Sequence, residues 1–130
     1  MKNTIIHGNV MDVLKHIPDE SIQMCVTSPP YWGLRDYKTP EIVWGGGQRC
    51  KHEKWTEELL WDTREYGAGI GKWQHASSQK GRPHIKKSQG KFCLECTAWK
   101  GHLGLEPTPE LYADHVSMVF REVGRILKKD

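Results

Sequence analysis

Residues 4–33 read TIIHGNVMDVLKHIPDESIQMCVTSPPYWG, and the fold class turns on how this stretch divides. Thr4-Ile5-Ile6-His7, ahead of Gly8, has the length and apolar content of a short buried strand. Asn9 stands where a cap belongs, before a short helix predicted over Val10 to His16, with Asp12 at the third helical position as in a capping box. Pro18-Asp19-Glu20-Ser21 makes a turn. Ile22-Gln23-Met24-Cys25-Val26-Thr27 is a second apolar strand, and it ends at Ser28 because Pro29 and Pro30 have no N–H to give to a ladder. Strand, short helix, strand is a parallel unit, which implies a sheet covered by helices on its faces.

At the other end of the chain, Thr108 caps and Pro109 opens a helix. Leu111, Tyr112, His115, Val116, Val119, Phe120, Val123, Ile126 and Leu127 recur along it at helical spacing. That stripe needs a sheet to cover, yet only two strands are clear, and Lys128-Lys129-Asp130 arrives where a turn into another strand is expected. Residues 1–37 and 103–130 are therefore predicted to be parts of one α/β domain, and residues 38–102 an insertion into it.

The chain has 130 residues, 37% apolar and 27% charged, which fits one ordinary domain of mixed polarity. No apolar run approaches the roughly 18 residues of a membrane span. Met1-Lys2-Asn3-Thr4 lacks the apolar core of a secretory signal, so a cytoplasmic protein is expected, with no membrane partner. In that compartment four cysteines stay as thiols and point to metal or core packing rather than disulfides. The net charge of +3 is unevenly spread: residues 38–102 carry 12 Lys/Arg against 7 Asp/Glu, and the rest of the chain 7 against 9. From Lys72 to Lys91 six basic residues, among them Lys80, Arg82, Lys86 and Lys87, meet no acid. So polar a stretch reads as a flexible loop, either a solvated linker or an arm for phosphates.

Open parallel sheets place their chemistry at the carboxyl ends of strands, where Ser28-Pro29-Pro30-Tyr31-Trp32-Gly33 falls. Two prolines fix two φ angles and remove two N–H groups, leaving a rigid turn whose backbone offers acceptors only. Ser28 adds a hydroxyl, and Tyr31 and Trp32 add flat faces for a base. Such a ring of acceptors suits a ligand that presents an amino group; a plain proline turn with core aromatics is the other reading.

Thr27-Ser28-Pro29-Pro30-Tyr31-Trp32-Gly33-Leu34-Arg35-Asp36-Tyr37, with Ile5-Ile6-His7-Gly8-Asn9 before it, resembles the catalytic motif of amino-directed DNA methyltransferases, the Asp/Asn/Ser-Pro-Pro-Tyr group. The serine form is similar to the cytosine-N4-specific branch, and Leu103-Gly104-Leu105-Glu106-Pro107-Thr108-Pro109-Glu110-Leu111-Tyr112 looks like the same subgroup, found in phages and restriction-modification systems. The resemblance implies a partial Rossmann-like methyltransferase sheet and S-adenosylmethionine as methyl donor. It implies double-stranded DNA as partner, with a flipped cytosine whose amino group meets the Ser28 hydroxyl and the Pro29 carbonyl, in the turn completed by Pro30. Tyr31 stacks on the base, Trp32 adds a second face, Asp36 is a proton acceptor, and Lys80, Arg82, Lys86 and Lys87 reach phosphates. Adenine-N6 specificity is the alternative within the family, and a non-catalytic zinc module that binds DNA is the alternative outside it.

Two departures stand out. Many relatives have Asp where Asn9 stands, the position of a contact to the adenosine amino group. The Phe-x-Gly-x-Gly cofactor loop is absent, and Gly67-Ala68-Gly69-Ile70-Gly71-Lys72, which follows no strand and is continued by Trp73, reads as a hinge instead of a phosphate loop. The chain is accordingly expected to be the amino-terminal part of an enzyme, inactive alone and completed by a carboxyl-terminal segment or a complementing chain.

Cys93-Leu94-Glu95-Cys96 has the spacing of a zinc knuckle, and Cys50-Lys51-His52 offers a second pair. Cys50, His52, Cys93 and Cys96 make a closed set for one structural zinc, with His75, His84 or His102 as substitutes for His52; the similar insertion in relatives carries the same four positions. Cys25 is set aside as a small hydrophobe in an apolar strand. Trp44, Trp55, Trp61, Trp73 and Trp99 are expected to cover the metal site, or else to stack on nucleic acid, and His7, His16 and His115 to be surface or packing residues.

Overall fold

The computed structural model describes residues 3–34, 36–62 and 86–129. Asn9 begins the first helix, α1 (Val10–Lys15): its side-chain oxygen accepts the N–H of Met11, while Asp12 pairs with Lys15 across one turn instead of closing a capping box. The long helix α2 (Pro109–Ile126) has the cap its sequence announces, with Thr108 Oγ1 accepting the Leu111 N–H at 3.2 Å. Five short strands lie between them: β1 (Ile42–Trp44), β2 (Leu60–Asp62), β3 (Lys86–Ser88), β4 (Lys91–Phe92) and β5 (Trp99–Gly101). They form an antiparallel sheet in the order β1-β5-β4 and a separate antiparallel pair, β2-β3.

The parallel unit expected at the start does not form among the described residues. Thr4–His7 forms no strand, with Ile5 98% and Ile6 62% exposed. Of the second expected strand only Ile22 pairs: its N–H donates to the Ile126 carbonyl, its carbonyl accepts from Lys128, and it bridges Leu127 in parallel. The reason is one of partners. A strand exists only where a neighbour takes its N–H and C=O groups, and the one available neighbour here is the tail of α2. Cys25, set aside as a core thiol, is consequently exposed. The result is a small α/β arrangement around an antiparallel sheet, and no Rossmann-like sheet is present among the described residues.

The apolar stripe of α2 is therefore covered by α1 and the Ile22 turn. Leu14, Val123 and Ile126 are buried there, with Ile17, Ile22, Val119 and Leu127 packed around them. Arg125 ties the two helices together. Its guanidinium donates to the Leu14 carbonyl at 2.7 Å and the Ile17 carbonyl at 3.1 Å, just where α1 ends, and it also holds Asp19 and Glu122.

The segment read as an insertion closes on itself: Ile42 stands opposite Gly101 and Trp44 opposite Trp99. Lys86–Ser88, read as the end of a flexible loop, is instead strand β3, because Leu60–Asp62 supplies the ladder partners, with Asp62 opposite Lys86 and Trp61 opposite Lys87. Lys80, Arg82, Trp73, His75, His84 and the Gly67–Lys72 hinge lie outside the described residues. Among the described residues no helix is long and apolar enough to cross a membrane.

If α2 buries its stripe against α1, Ile126→Ala should destabilise the chain by about 2–3 kcal/mol, while Phe120→Ala, at a position 42% exposed, should cost under about 1 kcal/mol. Urea denaturation followed by circular dichroism measures both; equal losses would mean that the stripe is covered from the other side.

Candidate metal centre and amine-acceptor turn

Cys50, His52, Cys93 and Cys96 come together from two turns, with one ligand atom from each lying within 4.8 Å of all the others. Cys50 Sγ is 3.6 Å from Cys93 Sγ, and Cys96 Sγ is 3.4 Å from His52 Nδ1. A tetrahedral zinc with Zn–S bonds of about 2.3 Å has ligand-to-ligand edges of about 3.8 Å, so this cluster is already close to the size of a closed site. His102, one of the alternative ligands, lies elsewhere, 3.4 Å from the Thr39 hydroxyl.

The local backbone explains how the four meet. Cys50 N–H donates to the Gly47 carbonyl, while Cys93 N–H donates to the Ala98 carbonyl and Thr97 N–H to the Cys93 carbonyl, which closes the knuckle. Thr97 and His52 both take positive φ, +60° and +52°, to turn back toward the ligands. Gly46, at φ +87°, approaches so closely that a Cβ there would lie 2.9 Å from Cys96 Sγ and 2.6 Å from the Ala98 Cβ. Its importance is not legible in Gly45-Gly46-Gly47, where three glycines look alike.

The thiols do not share one chemistry. The N–H groups of Ala98 and Gly47, aided by the Cys50 and Cys93 thiols, hold Cys96 at about 7 against the cost of burial. At Cys50 the His52 N–H favours the thiolate, but burial and the thiols of Cys96 and Cys93 outweigh it and push the pKa to about 12. Three thiols this close cannot all be anionic without a cation among them.

The tryptophans divide. Trp55 stacks near His52 at 5.8 Å and lies beneath Lys100, so it covers the metal cluster as expected. Trp44 and Trp99 do something else: they sandwich the His115 ring, at 4.9 Å and 5.1 Å between centroids. His115, only 3% exposed, places Nδ1 3.0 Å from Oε1 of Glu106, which has no exposure at all. Glu106 Oε2 accepts the Gly104 N–H at 2.8 Å. This buried pair was passed over in the sequence; the signal was a histidine on the apolar face of α2, which needs a partner, and a lone acid within Leu103-Gly104-Leu105-Glu106-Pro107.

The segment around Glu106 straps the proline turn. Trp32 Nε1 donates to the Glu106 carbonyl at 2.9 Å, Gly33 N–H to the Gly104 carbonyl at 2.7 Å, and the Tyr112 hydroxyl to the Pro30 carbonyl at 2.8 Å. Gly104 sits at φ +92°, a conformation that favours glycine, and a Cβ there would press on the Pro30 Cβ at 3.1 Å. Burial, then the charge of Glu106 and the phenol of Tyr31, raises the Tyr112 pKa and keeps its hydroxyl a donor. Ser28 is exposed, and neither its hydroxyl nor the Pro29 carbonyl is hydrogen-bonded among the described residues. Tyr31 is 58% exposed, whereas Trp32 is half-buried by its anchor. Asp36 accepts the Lys38 N–H in a local turn.

Beside the sheet runs a mostly apolar cleft of about 390 Å³, walled by His7, Gly8, Asn9, Ile42, Trp44 and Leu103 among others. Trp44 Nε1 is buried without a hydrogen-bond partner. No other buried side-chain nitrogen or oxygen among the described residues is left in that condition, and a buried orphan donor of this kind calls for an acceptor.

The chain is similar to parts of several much longer proteins. It is 50% identical over 40 residues to Type II methyltransferase M.Cfr9I of Citrobacter freundii, a match covering 31% of this chain and 13% of that protein. Type II methyltransferase M.XycI of Xanthomonas campestris pv. cyanopsidis is 49% identical over 41 residues, 32% of this chain and 14% of the relative. Type II methyltransferase M.SfiI of Streptomyces fimbriatus is 56% identical over 58 residues, 45% of this chain and again 13% of the relative. No family model matches the chain. No solved structure matches it.

Truncating Glu106 to Ala strands the Gly104 N–H and His115 in a dry interior, and a loss of about 3–5 kcal/mol is expected. Glu106→Gln, which keeps an acceptor, should lose less than half of that. Denaturant unfolding together with near-ultraviolet dichroism of the stacked tryptophans reads both, and a loss below about 1 kcal/mol for Ala would remove the pair from its central place.

Proposed function

We propose that this chain supplies the amine-acceptor turn of an S-adenosylmethionine-dependent DNA methyltransferase of the cytosine-N4 type, and that its antiparallel sheet is built around one structural zinc. The observation that carries the reading is the turn itself: Ser28 hydroxyl and Pro29 carbonyl stand unpaired at the surface among the described residues, beside the exposed ring of Tyr31. The names of the matched relatives support methyl transfer as the activity of the protein that contains this segment.

The chemistry follows from what the turn lacks. Its prolines offer no N–H, so it selects donors, and an exocyclic amine has two hydrogens to place. A base turned out of the duplex stacks on Tyr31 and gives those hydrogens to Ser28 and Pro29. Drawing them out of the ring plane localises the nitrogen lone pair, which ring conjugation otherwise delocalises. The proton can leave after transfer, so no strong base is required, and Asp36, already held in its turn by Lys38, serves at most as a late acceptor. Trp32 is committed through its N–H to Glu106, which leaves stacking to Tyr31. Lys86 and Lys87, with Lys80 and Arg82, are the proposed phosphate contacts.

S-adenosylmethionine, when bound, supplies an electrophilic methyl group on a sulfonium. The apolar cleft of about 390 Å³ suits a nucleoside in size, and Asn9 is among the polar residues in its wall that would hold one. Cys50, His52, Cys93 and Cys96 would hold zinc, whose place in so thin a core is to provide folding free energy.

Cobalt substitution gives the metal test. The chain should take up one Co(II) with intense sulfur-to-metal absorption, displaced by one equivalent of zinc, and Cys93→Ser should lose both metal and sheet. An ordered sheet with well under one metal per chain would overturn the zinc assignment.

For the turn, Ser28→Ala in the methyltransferase that contains this segment should lower turnover by about 10²-fold with little change in DNA affinity. Mass analysis of nucleosides from methylated DNA separates N4-methylcytosine from N6-methyladenine. Unchanged turnover would make Ser28 a structural residue.

A further inference from the structure

We propose that Tyr112 is a positioning residue: by occupying the Pro30 carbonyl it leaves the Pro29 carbonyl as the proline acceptor that, with the Ser28 hydroxyl, meets the two hydrogens of an exocyclic amine. The inference rests on the amine-acceptor reading of the turn and adds to it a residue 82 positions away in sequence.

The argument is one of counting. Beside the Ser28 hydroxyl and carbonyl, the Ser28-Pro29-Pro30 turn carries two proline carbonyls in succession, and neither proline has an N–H to satisfy its neighbour. An amine bound to the Ser28 hydroxyl can give its second hydrogen to either proline carbonyl, and the two poses aim the lone pair differently. In this structure one of the two is taken. The Tyr112 hydroxyl reaches the Pro30 carbonyl at 2.8 Å, from the first turn of α2, whose start is fixed by Thr108 and Pro109. Among the described residues no other hydrogen bond reaches that carbonyl, and neither the Ser28 hydroxyl nor the Pro29 carbonyl has such a partner.

The latch is also well supported from behind. Trp32 and Gly33, on the far side of the turn, are bound to the carbonyls of Glu106 and Gly104, so the turn is gripped at three points by one short stretch, residues 104–112. Gly104 must be glycine for that stretch to lie against Pro30. A merely structural tyrosine would need only its ring, since the ring alone fills space; what distinguishes positioning is the single hydroxyl.

Tyr112→Phe removes that hydroxyl and keeps the ring. In the zinc-loaded 130-residue chain labelled with carbonyl-13C proline, the Pro30 resonance should move upfield in the variant while Pro29 stays in place. Titration with 2′-deoxycytidine should shift Pro29 but not Pro30 in the wild type, and thymidine, which has no exocyclic amine, should shift neither. In Tyr112→Phe deoxycytidine should shift both carbonyls, while thymidine should still shift neither. Tyr112→p-aminophenylalanine, which restores a donor at the same place, should return the wild-type pattern and guards against a folding defect in the first variant. An unmoved Pro30 carbonyl in Tyr112→Phe would overturn the latch. Equal shifts of Pro29 and Pro30 in the wild type would overturn the counting argument. A Pro30 shift in the variant with no response to deoxycytidine in any form would overturn the amine-acceptor reading itself, and with it the role of Tyr112 toward an amine, leaving a structural hydrogen bond.

Discussion

A carboxylate with no access to water has to give its lone pairs to protein donors, and nearly everything in this molecule is arranged around one that does. Glu106 takes the Gly104 N–H and faces His115, and its own carbonyl takes the Trp32 indole. Through Gly104 and Trp32 it holds the proline turn. Through His115 it holds α2, and through the two tryptophans stacked on that histidine it holds the antiparallel sheet. Three parts of the chain thus meet around one polar group, whose removal would leave the Gly104 N–H and His115 without their partner. Buried polar networks cost stability when incomplete and specify one geometry when complete; here the specified geometry is that of the turn.

The Cys and His cluster stands on the other side of the same construction. Cys96 is separated from Trp99 by two residues, so the knuckle that gathers the thiols also sets where β5 begins and where its tryptophan lands on His115. The three-stranded sheet is fixed at its helix end by the stacking of Trp44 and Trp99 on His115, and zinc held by the four Cys and His side chains would fix its other end, which suits strands of only two or three residues. A path of contacts runs from Trp99 through His115 and Glu106 to Trp32 and the turn.

The helical parts of the fold were legible residue by residue. Asn9 and Thr108 announced their helices because capping is local: a side-chain oxygen meets an N–H two or three residues ahead whatever the rest of the chain does. The metal set was legible for a related reason. Cys-x-x-Cys and Cys-x-His can each reach one ion through a single turn, and only the closing of the two pairs required the fold. Ser28-Pro29-Pro30-Tyr31 announced a donor-free turn because proline chemistry is independent of context.

What tertiary structure decided was every feature that depends on a partner. Apolar runs such as Thr4–His7 and Ile22–Thr27 state a preference for extended backbone, but pairing needs a second strand, and the tail of α2 claimed Ile22 while leaving Met24 and Val26 in solvent. The polar run ending in Lys86 and Lys87 states a preference for solvent, yet Leu60–Asp62 made its end a strand. Trp44 and Trp99 looked like covers for the metal and became the walls around His115. Glu106, His115 and Tyr112 drew no attention as possible parts of a site, because a buried carboxylate, a stacked histidine and a latch on a proline carbonyl are defined by what lies opposite them. Local chemistry is written in the order of residues; which acceptor a donor 82 positions away will choose is settled only when the chain has closed.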